Sequence, residues 1–190
     1  SIGQDAFNGC ALQVVLLSDG LTTIGDRAFA NNSQLTSAVL PGSLNQTSWE
    51  CFSGCVNLKE VEMSEGITRI RGYGFRDTGL ERIVIPSSVT YIEERAFQRC
   101  TQLASIVMMG NAPEIQSDNI FSEVNGGASV QVKGKSKGYG EFFAGLPVVV
   151  DPRIELLGDG LLIHRAGTPY TDAGAIVHSL SGDAIESSIV

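Results

Sequence analysis

The chain has 190 residues, 43% of them hydrophobic, enough for one or two packed domains. Its formal net charge is −8, from 21 acidic and 13 basic residues scattered without runs, which argues against a nucleic-acid partner and against docking on anionic lipid. No apolar run approaches the roughly 18 residues of a membrane span, so no direct membrane insertion is expected of this stretch.

From the first residues onward one unit recurs. Phe7, Phe29, Phe52, Phe75, Phe97 and Phe121 are spaced by 22, 23, 23, 22 and 24 residues. A fixed period in this range marks a leucine-rich solenoid, here of about six repeats. Five residues before each Phe stands Ile2, Ile24, Thr47, Ile70 or Ile92, and the residue just before it is small: Ala6, Ala28, Cys51, Gly74, Ala96. This part of the unit reads as a turn or a short helical piece. Five or six residues after Phe comes Leu12, Leu35, Leu58, Leu80 or Leu103, followed by an alternating segment that ends on Leu17, Leu40, Met63, Ile85 or Met108. The alternation predicts a short strand with one side chain in and the next out. No unit can bury its Phe, Ile and Leu alone, so the copies must stack into continuous ladders with a rise of about 4.8 Å per turn.

The segment "IPSSVTYIEERAFQRCTQLASIVM" (residues 85–108) resembles the BspA-like leucine-rich repeat family nearly position by position, and the likeness extends over about residues 1–150. Two departures stand out. Thr47 replaces the Ile of the third copy, and Gly20, Ser43, Gly66 and Ser88 occupy the places where the widespread leucine-rich pattern puts an asparagine ladder. The resemblance implies a non-catalytic, extracellular or cell-surface solenoid used for adhesion and for binding a protein or another macromolecule.

After Phe121 the period degenerates. "ASVQVKG" (residues 128–134) predicts a strand, and "KGYGEFFAGLPVVV" (residues 137–150) predicts a short amphipathic segment and one more strand. A terminal unit must cover the open end of the core, and Phe142, Phe143 and Leu146 are the expected plug. Asp151-Pro152 then punctuates a boundary. Residues 151–190 lose the repeat, and "GTPYTDAGA" followed by "SGDAIESSIV" resembles the first part of a bacterial Ig-like module. The expected fold is therefore a β-rich leucine-rich-repeat solenoid with a C-terminal cap over residues 1–150, followed by an incomplete Ig-like β-sandwich segment. Because the chain opens inside a repeat, on "SIGQDAF", it reads as part of a longer protein.

Little in the sequence points to catalysis. Cys10, Cys55 and Cys100 all lie three residues after a repeat Phe, a place filled by Asn32 and Thr78 in the copies between. Ladder cysteines two turns apart are too distant to bridge, a Cys51–Cys55 link within one turn is conceivable but needs special geometry, and a ladder spreads metal ligands apart, so the expectation is four free, buried thiols. His164 and His178 have no partner at a motif spacing. "GKSKGYG" (residues 134–140) lacks the spacing of a phosphate loop, and no nucleophile elbow or zinc-protease signature occurs. Asp159, Asp172 and Asp183 suit either a calcium set or ordinary Gly/Asp turns. No cofactor is expected.

Two surface features are candidates for partner binding. The outward strand column reads Leu16, Val39, Glu62, Val84, Val107: either an apolar stripe that marks a partner site or simply the β-propensity of Val. Trp49 aligns with Gln4, Asp26, Gly72 and Glu94, and Tyr73 with Asp5, Arg27, Glu50 and Arg95. Trp49 is expected to turn inward and repair the gap left by Thr47. If it stays outside, it and Tyr73 suit stacking on a sugar ring or a peptide. The corresponding alternative function is a carbohydrate-binding accessory region of a larger secreted enzyme. A polysaccharide lyase would cluster acidic and basic residues on one face, a pattern not visible here.

Overall fold

The structure, a computed structural model, describes residues 1–151, and beyond them only the backbone of two short paired strands. In chain order the strands are β1 (Val14–Leu16), β2 (Ser37–Leu40), β3 (Glu60–Met63), β4 (Arg69–Ile70), β5 (Arg82–Ile85), β6 (Tyr91–Ile92), β7 (Ser105–Met108), β8 (Glu114–Ile115), β9 (Ser129–Val132), β10 (Phe142–Phe143), β11 (Leu146–Val150), β12 (Val177–His178) and β13 (Ala184–Ile185). The described helix content is one 3₁₀ turn at Gly42–Leu44. The Ig-like reading, both histidine side chains and the Asp159, Asp172 and Asp183 calcium set lie outside the described residues.

One face of the solenoid is the predicted strand ladder. β1, β2 and β3 pair in parallel, residue for residue along the repeat columns: Leu16 opposite Val39, and Val39 opposite Glu62. The ladder resumes with β5, β7 and β9, where Val84 faces Val107 and Val107 faces Gln131. The backbone pairing is interrupted between β3 and β5. There the fourth copy reaches its leucine one residue sooner, with five steps from Phe75 to Leu80 against six from Phe52 to Leu58. The shorter connection brings Gly79 against the Val56 carbonyl so closely that a Cβ would overlap it.

A second, narrower ladder joins β4, β6 and β8, continued by the single bridges Ile2–Ile24 and Gln46–Arg69. It carries the isoleucine column.

Between the two ladders the chain was expected to form a turn or a short helical piece; it makes a stacked turn. The first five copies take a left-handed residue two before their Phe (Asp5, Arg27, Glu50, Tyr73, Arg95), and all six take another two after it (Gly9, Asn31, Gly54, Asp77, Arg99, Glu123). This zigzag turns backbone N–H groups along the solenoid axis instead of along the chain. Thus Glu50, Phe52 and Gly54 donate to the carbonyls of Gly72, Gly74 and Arg76, at 2.8–3.1 Å. The same three bonds recur from Arg27, Phe29 and Asn31 to the following copy. An α-helix would satisfy these groups within its own turn; the stacked turn satisfies them between turns, and so ties each copy to the next.

The phenylalanines form one stack. Successive ring centroids lie 5.2–5.7 Å apart, with interplanar angles of 4–9° that open to 24° at Phe121. Phe52, Phe75 and Phe97 are fully buried, whereas Phe7 at the first turn is 39% exposed.

The cap is a hairpin rather than an amphipathic segment. β11 adds in parallel to β9, and β10 folds back antiparallel on β11 through Ala144 and Gly145, both left-handed. That is the two-residue loop whose twist matches paired strands. Phe143 is buried against Tyr139, and Leu146 packs on the core. Phe142 is 64% exposed and plugs nothing, because strand alternation sends it to the opposite face from Phe143.

Candidate functional site

The column three residues after Phe was expected to hold buried structural thiols, and in its interior it does more. Cys55 Sγ donates to the Phe29 carbonyl at 3.2 Å, and Cys100 Sγ to the Phe75 carbonyl at 3.0 Å. Asn32 Nδ2 donates to the carbonyls of Phe7 and Phe29, each at 2.8 Å, and Thr78 Oγ1 to that of Phe75 at 2.9 Å. The residue types differ, but each supplies one small donor to a phenylalanine carbonyl that faces the core. All four cysteines are free. Burial pushes the Cys51 thiol up to about 12, and those of Cys55 and Cys100 up to about 11. Cys10 departs from expectation: it is exposed, because on the first turn there is no earlier phenylalanine carbonyl for it to reach. Among the described residues no group of three or more His, Cys, Asp and Glu is arranged to hold a metal ion.

At the asparagine-ladder positions the structure has alternating Gly and Ser. Ser43 Oγ accepts from the Gly20 N–H at 3.1 Å and donates to the Leu21 carbonyl at 2.8 Å; Ser88 does the same with Gly66 and Ile67. Beside Ser88, the Glu65 carboxylate accepts the N–H groups of Ser87 and Ser88 and the Ser87 hydroxyl. Burial of Glu65 opposes ionisation, but these bonds outweigh it and hold the carboxyl below its usual range.

The outward strand column is not one uniform stripe. Leu16 is 72% exposed, with exposed Val14 beside it on β1; Val39 is half-buried and Glu62 exposed. Val84 is half-buried, and Val107, expected to face outward, is fully buried in a small second cluster with Met109, against which Val84 packs. Within the predicted column the exposed apolar surface therefore lies at the β1–β2 end and stops at Glu62; at the far end of the strand face Val149 and Val150 of β11 and Phe142 of β10 are also exposed.

Trp49 does not repair the isoleucine ladder. Thr47 occupies its own place there, 2% exposed, its hydroxyl accepting the Arg71 N–H at 2.9 Å and its N–H donating to the Arg69 carbonyl. A polar residue is stable in that column because both of its groups are bonded. Trp49 stays in the outer column, half-buried, with its six-membered ring lying over Gly72 so closely that a Cβ at 72 would overlap it. Its ring meets Tyr73 at 5.1 Å and 58°. Tyr73 is in turn fixed by two guanidinium groups: Arg76 lies 5.2 Å and Arg95 5.6 Å from its ring centre, and Arg95 donates to its hydroxyl.

Around this pair runs a band of charges. Arg76 is within 3.8 Å of Glu50 and 3.5 Å of Asp77, and Asp77 also meets Arg99 at 3.1 Å. Glu93, largely buried, takes Arg71 at 3.1 Å and Arg69 at 3.7 Å and accepts the Gly72 N–H at 2.9 Å. The sequence had signalled Trp49 and Tyr73, but not the arginines and Glu93 that set them. The sequence signal for the arginines was their clustering at positions 69, 71 and 76, on either side of Tyr73.

A model of the BspA type leucine rich repeat region matches residues 1–126 in six copies. No curated protein sequence matches the chain. Among solved structures, a leucine rich repeat protein of T. pallidum superposes with a TM-score of 0.57 at 28% identity, over 64% of this chain and 59% of that one. A leucine-rich repeat protein from Bacteroides ovatus gives 0.51 at 25% identity, over 69% of this chain and 40% of that one. A leucine rich cell surface protein from Faecalibacterium prausnitzii gives 0.56 at 22% identity, over 68% of this chain and 36% of that one. The chain thus spans only part of the length of each. Among the described residues no helix is long and apolar enough to cross a membrane.

Proposed function

The chain belongs to the BspA-type leucine-rich repeat family over residues 1–126, and from that premise we propose that it is a non-catalytic binding or adhesion module at the cell surface, displaying its strand face to a protein partner. The location follows the family and the F. prausnitzii neighbour, which is described as a cell surface protein. The observation that carries the binding reading is the apolar patch at the β1–β2 end. Leu16 and Val14 stand exposed on a sheet whose inward residues are already buried, next to half-buried Val39. Contiguous exposed apolar surface on a soluble β-face is characteristic of a contact site, and Glu62 gives it a charged border. The sheet behind it is already hydrogen-bonded in register, so no strand has to form on contact.

The test is a binding screen of the intact protein against an array of purified extracellular and cell-surface proteins, with a Leu16→Glu/Val39→Glu double variant alongside. Burying two new charges at the centre of a contact is expected to weaken a genuine partner by at least about a hundredfold. Binding that persists in the double variant places the contact elsewhere and overturns this assignment of the face.

A further inference from the structure

The geometry points to a second site, on the turn side of the solenoid, where Trp49 and Tyr73 form a platform for a neutral, hydroxyl-rich saccharide. This site is separate from the strand face and does not depend on it.

Four observations converge. First, Trp49 stands in a column whose other members are Gln4, Asp26, Gly72 and Glu94, all small or polar. Nothing in the ladders requires an indole there, since Thr47 is already satisfied by Arg69 and Arg71. Second, the neighbouring position is Gly72, whose missing side chain provides the floor on which the ring lies. Glu93 accepts the Gly72 N–H and pins that floor. Third, Tyr73 closes one side at 58° and is itself held by Arg76 and Arg95, so the corner between the two rings is set before any ligand arrives. Fourth, the backbone beneath is tied turn to turn, Glu50 to Gly72 and Tyr73 to Glu94.

The chemistry around the platform selects the ligand class. A pyranose ring offers an apolar C–H face, which suits an indole, and an equatorial rim of hydroxyls that both donate and accept. The surrounding side chains supply complementary groups of both signs: Arg76, paired with Glu50 and beside the Tyr73 ring, and Arg95, bonded to the Tyr73 hydroxyl and attracted by the adjacent Glu94. These charges balance locally and the chain as a whole carries −8, so a polyanion gains no attraction from the surface. A wholly apolar peptide would have to desolvate the same ion pairs without replacing their hydrogen bonds, which is costly. A neutral sugar meets both parts of the site.

Trp49 is the chain's single tryptophan, so its emission reports the site directly. The intact protein is titrated with neutral oligosaccharides built on glucose, mannose, galactose, xylose and N-acetylglucosamine, with a sulfated polysaccharide and an unrelated peptide as comparators. At least one neutral oligosaccharide is expected to shift Trp49 emission saturably and to give a matching calorimetric isotherm. Trp49→Ala should weaken that isotherm by at least about tenfold, and Trp49→Phe should recover part of it. Gly72→Ala, which pushes the ring off its floor, should weaken binding while thermal unfolding shows the solenoid intact. Leu16→Glu/Val39→Glu should leave it unchanged. If no neutral oligosaccharide alters Trp49 emission or gives heat, the inference is wrong. It is equally wrong if only the polyanion or the peptide binds, or if sugar binding survives Trp49→Ala. Failure of the strand-face experiment leaves this result untouched, because the variants do not overlap.

Discussion

Asn32, Cys55, Thr78 and Cys100 show how one position can be held by unlike residues for a single reason. Each is buried, and each donates to a phenylalanine carbonyl, so that the Phe29 carbonyl is shared by Asn32 and Cys55 and the Phe75 carbonyl by Thr78 and Cys100. A buried carbonyl left with no partner at all costs about 1–3 kcal/mol, and a column of small donors keeps each of these carbonyls bonded. The thiols in and beside it should behave accordingly. With thiol reagent at neutral pH, the folded protein is expected to react rapidly at exposed Cys10 alone, and at all four cysteines after unfolding; rapid native labelling of Cys51, Cys55 or Cys100 would contradict the packing. The same burial predicts an alkaline limit. The folded-state values of these three thiols lie above an unfolded value near 9, so their contribution to stability is complete below that pH. It is lost as pH rises from about 9 toward 11–12. Denaturation midpoints should fall across this window, and should fall less steeply in a Cys55→Thr variant, since the column accepts Thr at position 78.

At the scale of the element, the turn between the two ladders was the least legible part of the chain. Its sequence is polar, without the spacing of a helix or the alternation of a strand, and its order comes from neighbouring copies. The left-handed residues illustrate this. Asp5, Arg27, Glu50, Tyr73 and Arg95 share one backbone conformation that costs a non-glycine residue about 1–2 kcal/mol. No residue preference signals it; the hydrogen bonds to the next turn outweigh the cost. Where no stacking partner compensates, the cost should be recoverable. Ala144 sits at φ 49° in the cap hairpin, a place that suits Asn far better. Ala144→Asn is expected to stabilise the protein by about 0.5–1 kcal/mol, measured as a rise in the denaturant midpoint; no change would mean that β10 and β11 are not part of the cooperative unit.

At the scale of the molecule, each turn touches only its neighbours, so stability is a sum of interfaces. Phe75 is fully buried between Phe52 and Phe97 and contributes to two of them, whereas Phe7 ends the stack and is partly exposed. Phe75→Ala is expected to cost about 3–5 kcal/mol and to broaden or split the unfolding transition, because the strand ladder is already interrupted nearby between β3 and β5. Phe7→Ala should cost clearly less and leave the transition single. Equal losses at the two positions would mean that the solenoid folds as one undivided core.

Residue types repeated at a fixed interval were enough to specify the stack, the leucine-side strand column and the buried ladder positions, because a side chain's place in a repeat is decided by its own size and polarity; the second ladder on the isoleucine column, read from the sequence as a turn or a short helical piece, came only from the stacking. Phe29, Ile24 and Leu35 can be assigned to the core from their columns alone. The surface obeyed a different logic. Whether Trp49 turned in or out depended on Thr47 finding partners in Arg69 and Arg71 and on Gly72 leaving room one turn away. Whether Val107 was exposed depended on Met109 and Val84. Those outcomes arise between turns, among residues about 22 positions apart, and it was the stacking of the copies, through backbone bonds that no single repeat can make, that decided them.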